Sequence, residues 1–360
     1  MSKNRRLVIR SRADILDEQL SLLNNSVGKN EFQGMQIMKK TLPIIIVLVV
    51  IAGIFIVIGI ANKGKQGSQR RIAVIPKGTT HIFWESIRRG AERAGAEAGA
   101  KIFWNGPERE GNREMQIQIV EDFITQKVSG IVLAPIDDKA LVPSVEKIFD
   151  ANIPCIVIDS GIDTDKYISF IATDNYKGGV LAAERMGKIL KGKGKIVVVK
   201  YAPGSASTTK RENGFINTIK ENFPEIEIVD TKYGMDTVET SLQATEDLLT
   251  KNAELDGLFA CNESTSVGAL RALQSQGHAG KMKMVGFDAG GLLIEGLKTG
   301  DVDSLVVQNP YKMGYEGVKA LIDTLDGKKV PKRVDTGVVL VTKDNLETPE
   351  IQALLKGTHQ

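Results

Sequence analysis

From Arg71 onward, short runs of apolar and β-branched residues alternate with longer segments in which apolar residues recur every three or four positions. The short runs are bounded by turn residues or polar segments, which is typical of strands, and the spacing in the longer segments predicts helices. The predicted strands of the first half are Ile72–Ile75, Gly130–Leu133, Ile153–Ile158 and Ile168–Ala172. Its predicted helices are Phe83–Gly99, Arg113–Lys127 and Lys139–Ala151.

The same alternation then restarts. The predicted strands of the second half are Lys195–Val199, Ile226–Val229, Gly257–Cys261, Met282–Phe287 and Ser304–Val307. Its predicted helices are Tyr176–Leu190, Arg211–Asn222, Val238–Lys251, Ser264–Gly277 and Gly290–Lys298. Continuous apolar strands indicate parallel sheets covered on both faces. Two consecutive β-α halves of similar size predict an α/β fold of two Rossmann-like lobes.

A different pattern precedes these halves. Residues 42–61 are apolar apart from Pro43, carry no charge and lie behind Lys39 and Lys40. About twenty such residues can cross a membrane as a helix, with the lysines on the cytoplasmic side. If translation began at Met38, the same run would act as a secretory signal. Both alternatives, an uncleaved anchor after a cytoplasmic tail (residues 1–41) and a cleaved signal, predict export of the chain beyond a linker at residues 62–70.

Charge and cysteine content exclude several classes of function. Residues 1–61 carry 8 Lys and Arg against 4 Asp and Glu, which leaves 39 against 40 in the remaining chain. This near-neutral exported part has no basic patch for nucleic acid, so we expect no nucleic-acid partner. Cys155 and Cys261 lie in apolar runs without metal-ligand or redox spacing, and the chain has only 3 His. We therefore expect no metal and no organic cofactor.

Polar and aromatic residues follow the predicted strands, where ligands bind in open parallel sheets. The candidate ligand-binding residues are His81, Phe83, Trp84, Asp159, Ser160, Thr173, Arg211, Asn262, Asp288 and Gln308. Arg211 is expected to open a helix. Aromatic rings can cover the C–H faces of a sugar, and planar polar groups can bind its hydroxyls. Asp159, Asn262 and Asp288 could instead only cap the helices or turns that follow them.

From about Arg71 to Thr342 the chain resembles the periplasmic sugar-binding proteins of the ribose-binding type, which are soluble receptors of ABC importers. The resemblance rests on Ala134-Pro135, Ala151–Pro154 with Asp159, Ala172–Asn175, Arg211–Phe215, Asn262 with Gly268–Leu273, Val285–Asp288 and Gln308. It implies that Phe83 and Trp84 stack on the sugar beside His81, and that Thr173 lines the cleft. It also implies hydroxyl-binding roles for Asp159, Arg211, Asn262, Asp288 and Gln308.

The sequence departs from this family in places. Ser160 stands where the ribose receptor has an arginine, and His81 stands in place of an asparagine, so ribose itself is in doubt. Gln116 or Gln118 is expected to face the cleft from the second predicted helix. The third cleft aromatic of the family aligns near Met235-Asp236.

The resemblance implies a periplasmic binding protein fold of type I, in which a three-segment hinge joins the lobes. The chain would cross near residues 173–174, 308–309 and 336–338. Lobe one would comprise residues 71–173 plus 309–337, and lobe two residues 174–308 plus 338–360.

The leading hypothesis is a monomeric, non-enzymatic receptor in the periplasm or on the extracytoplasmic face, either secreted or anchored in the inner membrane. It would capture a monosaccharide and deliver it to an ABC importer permease by hinge closure. The alternative is a membrane-anchored sugar sensor that presents its ligand state to a chemoreceptor or signalling partner. A sugar-active enzyme would need a paired acid and base flanking a bond, and the sequence favours it least.

Overall fold

The computed structural model describes residues 69–252 and 254–357, together with the isolated positions 17, 19–21, 50, 51 and 53. Apart from those positions, the predicted membrane or signal run at residues 42–61 and the tail before it lie outside the described residues. Among the residues that are described, no helix combines the length and the apolar character needed to cross a membrane.

Strands occur throughout residues 69–357. They are β1 (Arg71–Ile75), β2 (Lys101–Trp104), β3 (Gly130–Leu133), β4 (Cys155–Ile158), β5 (Ser169–Ala172), β6 (Lys193–Lys200), β7 (Glu225–Tyr233), β8 (Gly257–Ala260), β9 (Lys283–Phe287), β10 (Ser304–Gln308), β11 (Arg333–Asp335) and β12 (Val338–Thr342). They form two six-stranded sheets, with the orders β11-β5-β4-β3-β1-β2 and β12-β10-β9-β8-β6-β7. Neighbouring strands are parallel, except that β12 runs antiparallel to β10.

Helices connect these strands. They are α1 (Ile82–Glu97), α2 (Arg113–Thr125), α3 (Val142–Asp150), α4 (Asn175–Ile189), α5 (Ala206–Asn222), α6 (Val238–Lys251), α7 (Glu263–Ser275), α8 (Gly291–Thr299), α9 (Pro310–Leu325) and α10 (Pro349–Lys356). We call the first sheet with its helices lobe one and the second sheet with its helices lobe two. The predicted α/β fold of two parallel-sheet lobes is confirmed.

Successive side chains of each central strand are apolar, and they are buried on alternate faces of the sheet. In β1, Ile72 and Val74 belong to the core on one face, and Ala73 and Ile75 to the core on the other. Successive side chains of a strand point to opposite faces, so this division requires helices on both sides. The continuous apolar runs in the sequence reflect this double burial.

Several predicted boundaries were wrong. α5 begins at Ala206, so Arg211 lies in its second turn and does not open the helix. The edge strands β2, β11 and β12 were not predicted, because they are partly exposed and lack a continuous apolar run. α9 and α10 were also not predicted.

The chain crosses between the lobes three times, after β5, after β10 and between β11 and β12. The crossing segments are hydrogen-bonded to each other. Thr173 Oγ1 donates to the carbonyl of Gly337 (3.3 Å), and Arg333 donates to the carbonyls of Ala172 (2.8 Å) and Thr173 (3.1 Å). These bonds hold the first and third crossings side by side.

Glycines allow α1 and α9 to pack backbone to backbone in lobe one. A Cβ atom on Gly90 would lie 2.0 Å from the carbonyl oxygen of Tyr311, and one on Gly314 would lie 1.9 Å from that of Ile87. Such distances are far inside van der Waals contact, so a side chain at either position forces the two helices apart.

We therefore expect Gly90→Ala to lower the free energy of unfolding by about 1–3 kcal/mol, as overpacking of a core does. Gly291→Ala is the matched control, because Gly291 also lies in a helix and a Cβ there meets nothing within 4 Å. Urea unfolding of both variants measures the difference. Equal stability of the two would contradict the close packing of α1 and α9.

Candidate functional site

A cavity lies between the two lobes. Its lining residues are Lys77, Phe83, Trp84, Glu110, Asp159, Tyr201, Ser205, Ser207, Thr208, Arg211, Asn262, Glu263, Asp288 and Gln308. Many of them follow the carboxyl ends of β1, β4, β6, β8 and β9, where parallel sheets position their ligands.

The structure brings seven of the ten candidate residues to this cavity. They are Phe83, Trp84, Asp159, Arg211, Asn262, Asp288 and Gln308. His81 lies at the N-cap of α1 with Nε2 3.8 Å from Glu110 Oε1, just behind the lining. Ser160 and Thr173 are buried but do not line the cavity.

Trp84 and Tyr201 are held by one buried carboxylate. Trp84 Nε1 donates to Glu110 Oε1 (2.7 Å), and the Tyr201 hydroxyl donates to Glu110 Oε2 (2.8 Å). Burial and the charge of Glu110 raise the pKa of Tyr201 well above its usual value, so Tyr201 remains a neutral donor. Because Tyr201 belongs to lobe two and the other two residues to lobe one, Glu110 joins the lobes. Phe83 stands edge-on to Trp84, with ring centroids 5.0 Å apart.

A buried ion pair forms another part of the lining. Lys77 Nζ lies 3.0 Å from Asp159 Oδ2 and 3.1 Å from the hydroxyl of Ser207, which lies in α5 of lobe two. Ser160 also contacts α5, because its hydroxyl accepts a hydrogen bond from the Ser207 backbone amide (3.1 Å). Ser160 therefore joins the lobes, and this explains why it does not line the cavity.

Arg211 is fixed by contacts within lobe two. Its Nε donates to Asn175 Oδ1 (2.7 Å) and an Nη to the carbonyl of Cys261 (3.1 Å). The guanidinium also lies 4.0 Å from the centre of the Phe287 ring, and it is 3.8 Å from Asp288 Oδ2. A planar cation with this many fixed contacts is preorganised, so it loses little freedom when a ligand binds.

Of the three possible capping residues, Asn262 does cap a helix. It is the N-cap of α7, where its Oδ1 accepts from the Thr265 amide (3.2 Å) in a capping box. Asp288 accepts from the Glu263 backbone amide (3.1 Å) through Oδ2 and from Gln308 Nε2 (2.7 Å) through Oδ1. Both Asp159 and Asp288 have positive φ, 61° and 68°, so each lies in a sharp turn after its strand.

Glu263 extends from lobe two to lobe one. Its Oε2 accepts from the backbone amide of Phe83 at the start of α1 (3.2 Å). Burial raises the pKa of Glu263, and the charge of Asp288 raises it further. Burial also raises the pKa of Asp288, although Arg211 and Gln308 partly oppose that rise. Two carboxyl groups thus share one poorly hydrated wall.

Two expectations about the cleft were wrong. Gln116 donates to the carbonyls of Pro76 (2.9 Å) and Ala134 (2.8 Å), so it ties the ends of β1 and β3 together, while Gln118 is exposed. Met235 is also exposed. Asp236 instead accepts from the Gly111 amide (3.2 Å) at the interface of the lobes.

Sequence reasoning missed half of the cavity lining. Lys77 and Tyr201 come directly or almost directly after strands, so the strand-end rule could have identified them. Glu110 lies in a loop after β2, which was itself not predicted. Tyr201 is the third aromatic of the cavity, in place of the position near Met235.

Because Arg211 supports the fold as well as the cavity, Arg211→Ala should lower the free energy of unfolding by about 3 kcal/mol. The substitution leaves Asn175 and the Cys261 carbonyl buried without this donor. Arg271→Ala is the matched control, since Arg271 is an exposed residue of α7, and it should change stability by less than about 0.5 kcal/mol. Thermal or urea unfolding without ligand separates the two, and equal effects would contradict the structural role of Arg211.

Comparison with known proteins identifies relatives for most of the chain. Residues 72–329 match the periplasmic binding protein domain family. The ribose import binding protein RbsB of Bacillus subtilis is 29% identical over 262 residues, which cover 72% of this chain and 83% of that protein.

Solved structures with the same fold are also similar in sequence. A solute binding protein of an ABC transporter from Agrobacterium vitis, with bound D-fucose, is 40% identical with a TM-score of 0.76, and covers 78% of this chain and 98% of its own. A carbohydrate transporter solute binding protein from Agrobacterium radiobacter, in complex with D-arabinose, is 35% identical with a TM-score of 0.78. The match covers 80% of this chain and 99% of that protein. These matches confirm the resemblance to sugar-binding proteins of the ribose-binding type.

Proposed function

Because the chain belongs to the periplasmic binding protein domain family, we propose that it captures a monosaccharide between its two lobes and delivers it to an ABC importer permease. Membership of this family makes the chain a binding protein and not an enzyme. The observation that carries the proposal is the cavity itself. It combines aromatic rings with planar hydrogen-bonding groups and is enclosed by contacts from both lobes.

The lining suits a sugar ring. Phe83, Trp84 and Tyr201 offer ring surfaces against which C–H faces can pack. Asp159, Asp288, Arg211 and Gln308 offer paired polar atoms for neighbouring hydroxyl groups, and a hydrogen bond to a charged group contributes about 1.5–3 kcal/mol. A few such bonds in an enclosed cavity are enough for selective binding.

We further propose that lobe one comprises residues 71–173 plus 309–337 and lobe two residues 174–308 plus 338–360. The three crossings then act as a hinge, and closure brings together a surface from both lobes that a permease can recognise. The protein works on the extracytoplasmic side as a monomer. Residues 42–61 direct its export, either as a cleaved signal or as a retained anchor.

A thermal-shift screen of the full-length protein tests this function. Pentoses, hexoses, deoxysugars, aminodeoxy sugars and polyols form the panel, and it includes D-fucose and D-arabinose, which two solved relatives hold. A ligand that binds only the folded state raises the melting temperature, so one or a few sugars should give a clear rise. If no sugar in the panel changed the melting temperature, the proposed function would be wrong.

Closure itself can be tested at Gly204, where lobe two meets lobe one. A Cβ atom there would lie 2.1 Å from Asp137 Oδ2, and the backbone amide of Asp138 donates to the Gly204 carbonyl (2.9 Å). Gly204→Ala should therefore weaken sugar binding by about tenfold or more, because a clash that costs about 1.4 kcal/mol penalises only the closed form.

Gly192→Ala is the matched control for this test. Gly204 and Gly192 have similar positive φ values, 88° and 80°, but a Cβ on Gly192 meets nothing within 4 Å. Both variants therefore carry the same kind of backbone strain, and only one obstructs closure. Titration calorimetry with the sugar found in the screen compares them, and equal affinities would show that the lobes do not close at this contact.

A further inference from the structure

The cavity between the lobes carries more negative than positive charge. Its charged lining consists of the carboxylates of Glu110, Asp159, Glu263 and Asp288 and the cations Lys77 and Arg211. With His81 neutral, these groups leave two negative charges, and a protonated His81 beside Glu110 would still leave one. Arg89 lies nearby but is exposed, so solvent screens its charge.

The excess negative charge lies on one wall of the cavity. Asp159 is paired with Lys77, and both oxygens of Glu110 accept from neutral donors. Glu263 accepts one hydrogen bond, from the Phe83 amide, and forms no ion pair with any residue that the structure describes. The charge of Asp288 repels that of Glu263. Asp288 itself lies 3.8 Å from Arg211, so Glu263 is the carboxylate of the lining whose negative charge is least compensated.

A second, independent feature of this wall is the side-chain amide of Gln308, which favours a hydrogen-bond donor in the ligand. Gln308 is 2% exposed, and its Nε2 donates to Asp288, which fixes the orientation of the amide. Its Oε1 is buried and has no hydrogen-bond partner among the residues that the structure describes. Leaving a buried acceptor unpaired costs about 1–3 kcal/mol, so a ligand donor at this position is favoured.

Burial raises the pKa values of both Glu263 and Asp288; the charge of Asp288 raises that of Glu263 further, and the charges of Asp159 and Glu110 raise that of Asp288. A cation placed against them would stabilise their ionised forms. A hydroxyl group can donate only one hydrogen bond, whereas an ammonium group donates three, accepts none and carries a positive charge. An ammonium group therefore fits this wall better than a hydroxyl group does.

We propose that the ligand is an aminodeoxy monosaccharide, whose protonated amine binds at the wall formed by Glu263, Asp288 and Gln308. This inference rests on the proposed function and specifies its ligand class. The remaining lining, with Arg211 and the Lys77–Asp159 pair, binds the hydroxyl groups of the same sugar ring. The amine and the ring thus occupy different walls of one cavity.

Matched sugars test the inference on the full-length protein by titration calorimetry. Each set contains an aminodeoxy sugar, its parent sugar and its N-acetyl derivative, for the gluco, galacto and manno epimers with nitrogen at position 2 and for the gluco epimer with nitrogen at position 3. In at least one set the amine should bind about tenfold or more tightly than both the parent and the acetylated form. The acetylated form keeps the nitrogen but loses the charge.

Glu263→Gln then identifies the wall that is responsible. This variant should reduce the preference for the amine over the parent sugar by about tenfold, because it removes charge without changing shape. Glu295→Gln is the matched control, since it changes the net charge equally at an exposed position of α8. It should leave the preference unchanged. The preference for the amine over the parent sugar is also measured on the wild-type protein, and that measurement does not depend on how well either variant folds.

The outcomes separate the two claims. If parent sugars bind as tightly as their amines, the inference is wrong and the proposed function stands. If Glu295→Gln lowers the preference as much as Glu263→Gln does, the effect is one of net charge and the assigned wall is wrong. If neither these sugars nor the wider panel binds, the inference and the proposed function fail together.

Discussion

The structure depends on buried polar groups that have partners in both lobes. Glu110 of lobe one accepts from Tyr201 of lobe two, and Lys77 of lobe one donates to Ser207 of lobe two. Burying a charge without such partners is costly, so these groups must either be hydrated or meet the other lobe. Opening of the lobes, which the proposed function requires, would therefore have to expose these groups to water.

Under the proposed function, the ligand decides between an open and a closed arrangement of the lobes. A molecule that contacts both lobes binds the closed form better, and it shifts the equilibrium by the difference between its two affinities. Under the same proposal, the cross-lobe bonds alone must not hold the cavity shut, because a receptor has to open to release its cargo. Among the residues that the structure describes, Glu263 forms no ion pair and Gln308 Oε1 has no hydrogen-bond partner, so the closed form is incompletely satisfied without a ligand.

Sequence alone predicted the parts of the fold that depend on local pattern. The bounds of β3 (Gly130–Leu133) and α6 (Val238–Lys251) were predicted as observed, because a fully apolar run and an amphipathic period mark them. Partly exposed edge strands such as β11 have no such mark. The start of α5 was missed because Ser205 and Ala206 lie in a polar stretch that resembles a loop.

The same division applies to the cavity. Asp159 and Asp288 follow buried strands, and the rule for parallel sheets placed them at the cavity. Glu263 comes directly after Asn262 at the end of β8, so the same rule could have identified it. Glu110 faces the cavity from a loop that follows β2, and no local pattern contains that information. Thr173 and Ser160 also follow strands, but they do not line the cavity. Thr173 is hydrogen-bonded to the third crossing, and Ser160 is hydrogen-bonded to α5.

Small-angle X-ray scattering of the full-length protein, with and without a saturating ligand from the sugar screen, tests the central claim most directly. If partners across the lobes are satisfied only on closure, ligand should lower the radius of gyration as the lobes come together. A ligand that binds tightly and leaves the radius of gyration unchanged would contradict the account.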